Sequence, residues 1–160
     1  MPEILVLGVG NMLMRDDGVG VEAVQRLGAR YRLPPEVEAL DGGTVGLDLL
    51  PRLNGVSSLL LLDAVRTGEP PGTLVRLAGD AIPGALALKV SVHELGLEEL
   101  LDTSRLSGTT PERIVLLGIV PAVVDWGVGL TPEIAEGVDD LVKAAVAELR
   151  GWGVRVDPVP

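Results

Sequence analysis

The chain has 160 residues, no cysteine and one histidine, and 23 acidic against 13 basic residues give it a net charge of −10. This length predicts a single domain spanning residues 1–160, and the lack of cysteine excludes disulfides, thiolate nucleophiles, iron–sulfur clusters and cysteine zinc sites. The acidic balance argues against a nucleic-acid partner. Even the uncharged run from Ile114 to Val124 is far shorter than the roughly 20 residues that span a bilayer. The N-terminal Met1-Pro2-Glu3 lacks the basic start of a secretory signal, so a cytoplasmic location is expected.

The first 50 residues predict a strand, a helix, a second strand and a short helix. The apolar run 3–8 does not alternate with polar residues, which indicates a strand buried on both faces of a parallel sheet. Apolar residues then recur at helical spacing over residues 18–31. Residues 37–40 are predicted to form a second short strand, which Asp41 closes, and a short helix is expected around residues 45–50.

The remainder of the chain continues the same alternation of strands and helices. Residues 57–63 form the clearest buried strand, with Asp63 at its carboxyl end. The alternating segment 73–77 predicts an edge strand or a hairpin arm. Three further elements follow, namely a helix at 94–101, a strand at 113–120 and a long helix with Thr131 as N-cap and Pro132 as its first residue.

Strands that alternate with helices predict an α/β fold, in which one twisted, mostly parallel sheet is flanked by helices on both faces as an α/β/α sandwich. Ligands of such folds gather at the carboxyl ends of the strands. Acidic residues follow three of these ends, namely the pair Asp16-Asp17, then Asp41 and Asp63. Each carboxylate alone is as readily explained as an N-cap or turn residue. Together they predict a crevice whose negative charge a cation or a proton must compensate.

Three common enzyme signatures are incomplete in this sequence. The loop after the first strand begins like the dinucleotide motif G-x-G-x-x-G, but Leu13 stands where the third glycine is needed. His93 begins a segment like the zinc motif H-E-x-x-H, but Leu97 replaces the second histidine. No serine stands in a complete G-x-S-x-G elbow.

Carboxylates and the single imidazole remain as candidate metal ligands. Asp17, Asp63 and His93 would supply two carboxylates and one imidazole, with Asp16 and Asp41 nearby. This donor set suits borderline divalent ions such as nickel, zinc or manganese, and it leaves coordination positions open. A lone histidine is more commonly a surface residue or a hydrogen-bonded core residue, so the residues by themselves leave the metal role of His93 open.

Short blocks containing glycine and aspartate are spread over almost the whole chain. The first runs from Ile4 to Asn11 and continues with Asp16-Asp17-Gly18-Val19-Gly20. The later blocks are Asp41-Gly42-Gly43-Thr44, Leu62-Asp63-Ala64, Ser91-Val92-His93-Glu94-Leu95-Gly96 and Gly129-Leu130-Thr131-Pro132. Each block alone is weak, but in this order and approximate spacing the sequence resembles the hydrogenase maturation endopeptidases.

The resemblance implies the same sheet flanked by helices, and an activity that removes a short C-terminal peptide from the large-subunit precursor of a nickel–iron hydrogenase after nickel insertion. It also implies three metal-contacting positions, which here are Asp17, Asp63 and His93. The first is often glutamate in relatives, and aspartate is one methylene shorter. Nickel would arrive with the substrate and not as a permanent cofactor, and other divalent ions such as zinc could occupy the site.

The candidate catalytic residues are Asp17, Asp41 and Asp63, and two mechanisms are open. A carboxylate could activate water, or the metal could polarise the scissile carbonyl. Two other functions could use the same side chains, namely a non-proteolytic nickel-binding chaperone and a self-sufficient zinc-type metallohydrolase. The expected partner is the hydrogenase large-subunit precursor, without nucleic acid or membrane, and the sequence does not indicate an oligomeric state.

Overall fold

The computed structural model describes residues 2–43, 47–82 and 92–160, and the side chains of residues 92–95 lie outside the described part. The strands are β1 (Ile4–Val9), β2 (Tyr31–Arg32), β3 (Val37–Gly43), β4 (Ser58–Ala64), β5 (Leu74–Ala78), β6 (Arg113–Ile119) and β7 (Asp157–Pro158). The α-helices are α1 (Val19–Arg30), α2 (Val92–Ser107) and α3 (Pro132–Gly151), and 3-10 segments cover Arg15–Gly18 and Leu47–Leu53.

Five of the strands form one sheet in the order β3-β1-β4-β6-β5. The first four are parallel, and β5 pairs antiparallel with β6 at one edge. Every residue of β1 and of β4 is buried, because both faces of the sheet are covered. The apolar runs Ile4–Val9 and Leu59–Leu62 are typical of strands in that position. The predicted α/β fold with a mostly parallel sheet is confirmed.

Alternate residues of the central strands contribute to two separate apolar cores. On one face, α1 and α3 pack against a core that includes Leu60 and Leu62 of β4. On the other face, α2 and the Leu47–Leu53 segment pack against a core that includes Leu59 and Leu61. Successive side chains of a strand point to opposite faces, so the position of any residue in β4 determines which helices it faces.

Two candidate site residues lie inside secondary structure and not in the predicted connections. β3 continues to Gly43, so Asp41 belongs to the strand, where it pairs with Gly8 of β1. α2 begins at Val92, so His93 lies in the first turn of that helix and not in the connection before it. Both differences are of a few residues, the usual uncertainty of element boundaries.

Two further boundaries differ from the prediction for reasons of tertiary structure. α1 ends at Arg30, because Tyr31 and Arg32 leave the helical pattern to pair antiparallel with Pro158 and Asp157. The short helix expected around residues 45–50 is the 3-10 segment Leu47–Leu53, while residues 44–46 lie outside the described part.

The long C-terminal helix is amphipathic and not apolar throughout. α3 has 20 residues and buries one face, which includes Ile134, Val138 and Leu141, against the sheet. Among the helices that the structure describes, none combines the length and the apolar composition needed to cross a membrane.

Candidate functional site

The candidate site lies where the connections of the sheet diverge, at the carboxyl ends of β1 and β4. These strands are parallel neighbours, with Gly8 paired to Leu62. After β1 the chain goes to β3 at one edge of the sheet, and after β4 it goes to β5 at the opposite edge. Such a divergence opens a crevice between the two strand ends, which is the usual ligand site of open α/β sheets.

Asp63 is the penultimate residue of β4 and is fully buried. It has the same parity along the strand as Leu59 and Leu61, which places it on the face that α2 covers. Its Oδ1 accepts a hydrogen bond from the backbone N–H of Ala64 at 2.7 Å, which orients the carboxylate.

Asp17 lies in the 3-10 segment Arg15–Gly18, which contacts β4, the strand of Asp63. Only 3% of Asp17 is exposed, and its Oδ2 accepts a hydrogen bond from the backbone N–H of Asn11 at 3.1 Å. The backbone at Gly10 lies very close to that of Asp17, so that a Cβ on Gly10 would overlap the carbonyl oxygen of Asp17. Gly10 also has a φ of 144°, which side-chain-bearing residues rarely adopt.

Gly20 explains how the start of α1 reaches the end of β4. A Cβ at Gly20 would overlap the carbonyl oxygen of Leu62 and lie 2.6 Å from that of Val9. Glycine therefore lets the helix backbone approach both strand ends, which brings the preceding segment with Asp17 against the strand that ends in Asp63. The Asp-Asp-Gly-x-Gly pattern thus has a direct packing function.

Asp16 is adjacent to Asp17, but its carboxylate holds a loop in place through hydrogen bonds. It is fully buried, and its Oδ2 accepts hydrogen bonds from the backbone N–H groups of Ala122 and Val123, both at 2.9 Å. Its Oδ1 accepts the backbone N–H of Thr131 at 2.8 Å, and the hydroxyl of the same residue lies within 3.0 Å of both carboxylate oxygens. Asp16 therefore fixes both ends of the loop between β6 and α3.

Thr131 occupies the predicted N-cap position of α3, but its side chain has a different role. The residue is extended, with φ −62° and ψ 152°, and Pro132 follows as the first helical residue. Its hydroxyl makes no capping hydrogen bond to the helix and instead contacts Asp16. The sequence suggested the helix boundary correctly, whereas the bond to Asp16 joins residues 115 positions apart and has no local signal.

Asp41 is exposed and lies on the neighbouring strand β3. Its Oδ1 accepts a hydrogen bond from the backbone N–H of Gly43 at 2.8 Å, and its Oδ2 lies 3.5 Å from Nε2 of Gln25 on α1. The contact with α1 places this carboxylate on the opposite sheet face from Asp63. The structure thus places the carboxylates of Asp41 and Asp63 on opposite faces of the sheet, and a catalytic role of Asp41 stays a prediction.

The third predicted metal ligand, His93, is described only by its backbone. It lies in the first turn of α2, on the sheet face to which Asp63 belongs, while its side chain lies outside the described residues. Within the described part, no group of three or more possible ligands is placed to hold a metal ion. The described residues contribute two buried carboxylates to the predicted set, and the metal role of all three residues stays a prediction.

Comparison with known proteins adds an independent line of argument. The sequence model of the family described as Hydrogenase maturation protease matches residues 21–148. The Hydrogenase 2 maturation protease of Escherichia coli is 38% identical over 97% of this chain and 95% of its own length. The hydrogenase expression/formation protein HupD of Rhodobacter capsulatus is 43% identical over 96% of this chain and 74% of its own length.

Solved structures show the same relationship. The hydrogenase maturating endopeptidase HybD from E. coli superimposes with a TM-score of 0.93 and 38% identity, covering 99% of this chain and 98% of that one. The [NiFe] hydrogenase maturation protease HybD from Thermococcus kodakarensis gives a TM-score of 0.75 at 29% identity, covering 92% and 98%. The chain therefore belongs to the hydrogenase maturation protease family, and its activity is that of an endopeptidase.

Proposed function

We propose that this endopeptidase removes the C-terminal extension of a nickel–iron hydrogenase large-subunit precursor after nickel has been inserted. The names of its relatives support the substrate, since the E. coli protein is a Hydrogenase 2 maturation protease and the T. kodakarensis protein a [NiFe] hydrogenase maturation protease. A protease that matures a hydrogenase acts on a precursor, which makes the precursor the natural partner.

Recognition of the substrate-borne nickel is assigned in this proposal to Asp17, Asp63 and His93. The observation that carries the assignment is the burial of the first two carboxylates at one divergence of the sheet. Buried carboxylates are costly unless hydrogen bonds, a proton or a cation compensates their charge. A nickel ion delivered by the precursor would provide such a cation only when substrate is present, and oxygen and imidazole donors suit nickel.

An incomplete ligand set suits an enzyme that reads an ion without removing it. Two carboxylates and one imidazole leave coordination positions for the substrate's own ligands, whereas a closed cage would compete with the precursor for its metal. The backbone N–H groups of Asn11 and Ala64 orient the two carboxylates, as outer hydrogen bonds commonly do for metal-binding carboxylates.

Hydrolysis of the precursor needs a water molecule that attacks the scissile carbonyl. In one version of the mechanism Asp17 or Asp63 accepts the proton of that water as general base. In the other the nickel of the substrate polarises the carbonyl, and the carboxylates serve to position the ion. Both versions require the two carboxylates in the crevice, so the same substitutions test both.

The direct test is cleavage of a purified large-subunit precursor, with and without inserted nickel, followed by mass spectrometry. Asp17→Asn, Asp63→Asn and His93→Ala should each slow release of the C-terminal peptide by about two orders of magnitude or more. Asp140→Asn is the matched control, because Asp140 is an exposed aspartate on α3. Its cleavage rate should equal that of the unaltered enzyme.

The rival functions give different results in this assay. A nickel-binding chaperone would leave the mass of the nickel-loaded precursor unchanged. A self-sufficient zinc hydrolase would cleave the nickel-free precursor and would contain stoichiometric zinc when purified without added metal. Unaltered cleavage by all three site variants would refute the assignment of the site.

A further inference from the structure

Five large apolar side chains are exposed on two loops beside the candidate site. They are referred to as the Trp126 patch and comprise Met12, Leu13, Val123, Trp126 and Val128, whose exposed fractions are 41%, 55%, 41%, 74% and 81%. Exposed apolar patches on a protein surface commonly mark binding sites for other macromolecules. These side chains lie outside both apolar cores of the described structure.

The two loops that carry the patch are joined side by side. Met14 forms a parallel bridge with Gly127, in which the backbone N–H of Gly127 donates to Leu13 at 2.9 Å and that of Arg15 donates to Gly127 at 3.1 Å. Leu13 and Trp126 therefore stand next to each other at one end of the bridge. The bridge thus joins the two loops of the patch at Leu13 and Trp126.

The loop with Trp126 is anchored at its beginning, its middle and its end. The carboxylate of Asp16 binds the N–H groups of Ala122 and Val123 at one end and Thr131 at the other, and the bridge to Met14 holds the centre. The polar backbone groups thus point inward while Trp126 and Val128 remain outside. A loop that is already fixed loses little conformational freedom on binding, which favours affinity.

The patch adjoins the segment that carries Asp17. Asp16, which anchors the Trp126 loop, directly precedes Asp17 in the chain. A Cβ at Gly18 would lie 2.9 Å from the sulfur of Met12, so the side chain of Met12 packs beside the start of α1. A molecule that covers the patch therefore lies next to the segment that carries one of the candidate site residues.

We propose that the Trp126 patch is the surface on which the folded body of the hydrogenase large-subunit precursor docks while its C-terminal segment enters the crevice. The inference rests on the proposed function, which supplies the substrate. A protein surface fits better than a small molecule, because small ligands prefer concave sites. The cavity of about 360 Å³ between β5 and α3 includes none of the patch residues in its lining.

Trp126 is the expected anchor of this interaction. Tryptophan is among the residues that contribute most to protein–protein binding, and neighbouring apolar side chains exclude water around it. Docking on the patch would act on substrate binding and not on the chemical step. Its loss should therefore raise KM and the dissociation constant of the precursor without lowering kcat.

The experiment compares Trp126→Ala and Leu13→Ser with the unaltered enzyme, using nickel-loaded precursor. Leu106→Ser is the matched control for Leu13→Ser, because Leu106 is 90% exposed near the end of α2. Both patch variants should raise KM for cleavage, and Kd measured by biolayer interferometry, by about tenfold or more. Leu106→Ser should leave both constants unchanged, and all variants should retain the melting temperature of the unaltered enzyme.

Unchanged KM and Kd in both patch variants would overturn the docking proposal. Analytical ultracentrifugation could give a second contrary result. If the unaltered enzyme is a dimer, and Trp126→Ala makes it a monomer without changing KM, the patch binds a second copy of the chain and not the precursor.

The proposed function is refuted by a different result. If the unaltered enzyme binds the precursor without cleaving it, and Trp126→Ala weakens that binding, the hydrolytic function is refuted while the docking surface stands.

Discussion

Oδ1 of Asp16 lies 2.8 Å from the backbone nitrogen of Thr131, although 115 positions separate the two residues. Through this contact and those to Ala122 and Val123, a buried carboxylate next to the candidate site holds the loop that presents Trp126. The adjacent aspartates therefore have different contacts. Asp16 positions a loop, whereas Asp17 accepts a hydrogen bond from the backbone N–H of Asn11 in the loop after β1.

Substitution of Asp16 by asparagine should destabilise the protein strongly. The amide nitrogen of asparagine is a hydrogen-bond donor. It therefore cannot accept the hydrogen bonds that backbone N–H groups now donate to one of the carboxylate oxygens. Leaving buried donors unsatisfied should lower the free energy of unfolding by about 3 kcal/mol. Urea denaturation measures this change, with Asp140→Asn as the exposed control. A loss no larger than that of the control would show that Asp16 does not anchor the loop.

The close approach of α1 to the strand ends predicts opposite effects for two glycine substitutions in the same helix. Gly20→Ala places a methyl group against the carbonyl oxygens of Leu62 and Val9, and should lower the free energy of unfolding by about 1–3 kcal/mol. Gly28→Ala meets no atom within 4 Å and should raise it by roughly 0.5–1 kcal/mol. Only Gly20→Ala should also slow precursor cleavage, because it displaces the segment that carries Asp17.

Equal effects of the two alanine substitutions on stability would contradict the packing explanation of Gly20. Thermal and urea denaturation measure both variants under the same conditions. Precursor cleavage at a temperature where both remain folded separates a displaced site from a loss of folded protein.

The ion pairs between α1 and α3 predict that Asp139 contributes to the free energy of unfolding in a pH-dependent way. Arg30 and then Arg26, with nitrogens 2.6 Å and 3.0 Å from Oδ1 of Asp139, lower the pKa of that carboxyl below its ordinary value of 3.8. A group whose pKa is lower in the folded state stabilises that state above its unfolded pKa, and this contribution is lost as the pH falls through the folded value.

Asp139→Asn should therefore be less stable than the unaltered protein at pH 7, and the difference should shrink as the pH falls below 3.8. Because the pair is exposed, added salt should reduce the difference at neutral pH as well. Urea titrations across this pH range measure both effects. A difference that grows on acidification would have the wrong sign for this ion pair.

The regular parts of the fold follow from sequence periodicity. β1 and the Leu59–Leu62 part of β4 are continuous apolar runs, and the buried residues of α3 recur at helical spacing, so burial dictates each pattern directly. The pairing of Tyr31 with Pro158 could not be foreseen, because a two-residue strand has no periodicity and its partner lies at the other end of the chain.

The sequence predicted which strand ends carry the aspartates, whereas the site that these residues would form stays a prediction. Parallel strands place their carboxyl ends at one edge, which predicted a common position for Asp17 and Asp63. The sequence could not separate Asp16 from Asp17, since adjacent aspartates look alike until the long-range partners of Asp16 are known. It also placed Asp41 after a strand that in fact continues to Gly43.

A crystal soaked in nickel tests the proposal that Asp17, Asp63 and His93 contact one nickel ion in a single crevice. Anomalous diffraction at the nickel edge locates the ion independently of the protein geometry. We predict one peak between the ends of β1 and β4, with carboxylate oxygens of Asp17 and Asp63 and a ring nitrogen of His93 each about 2.1 Å away. A nickel peak elsewhere, or His93 directed to another surface, would contradict the claim.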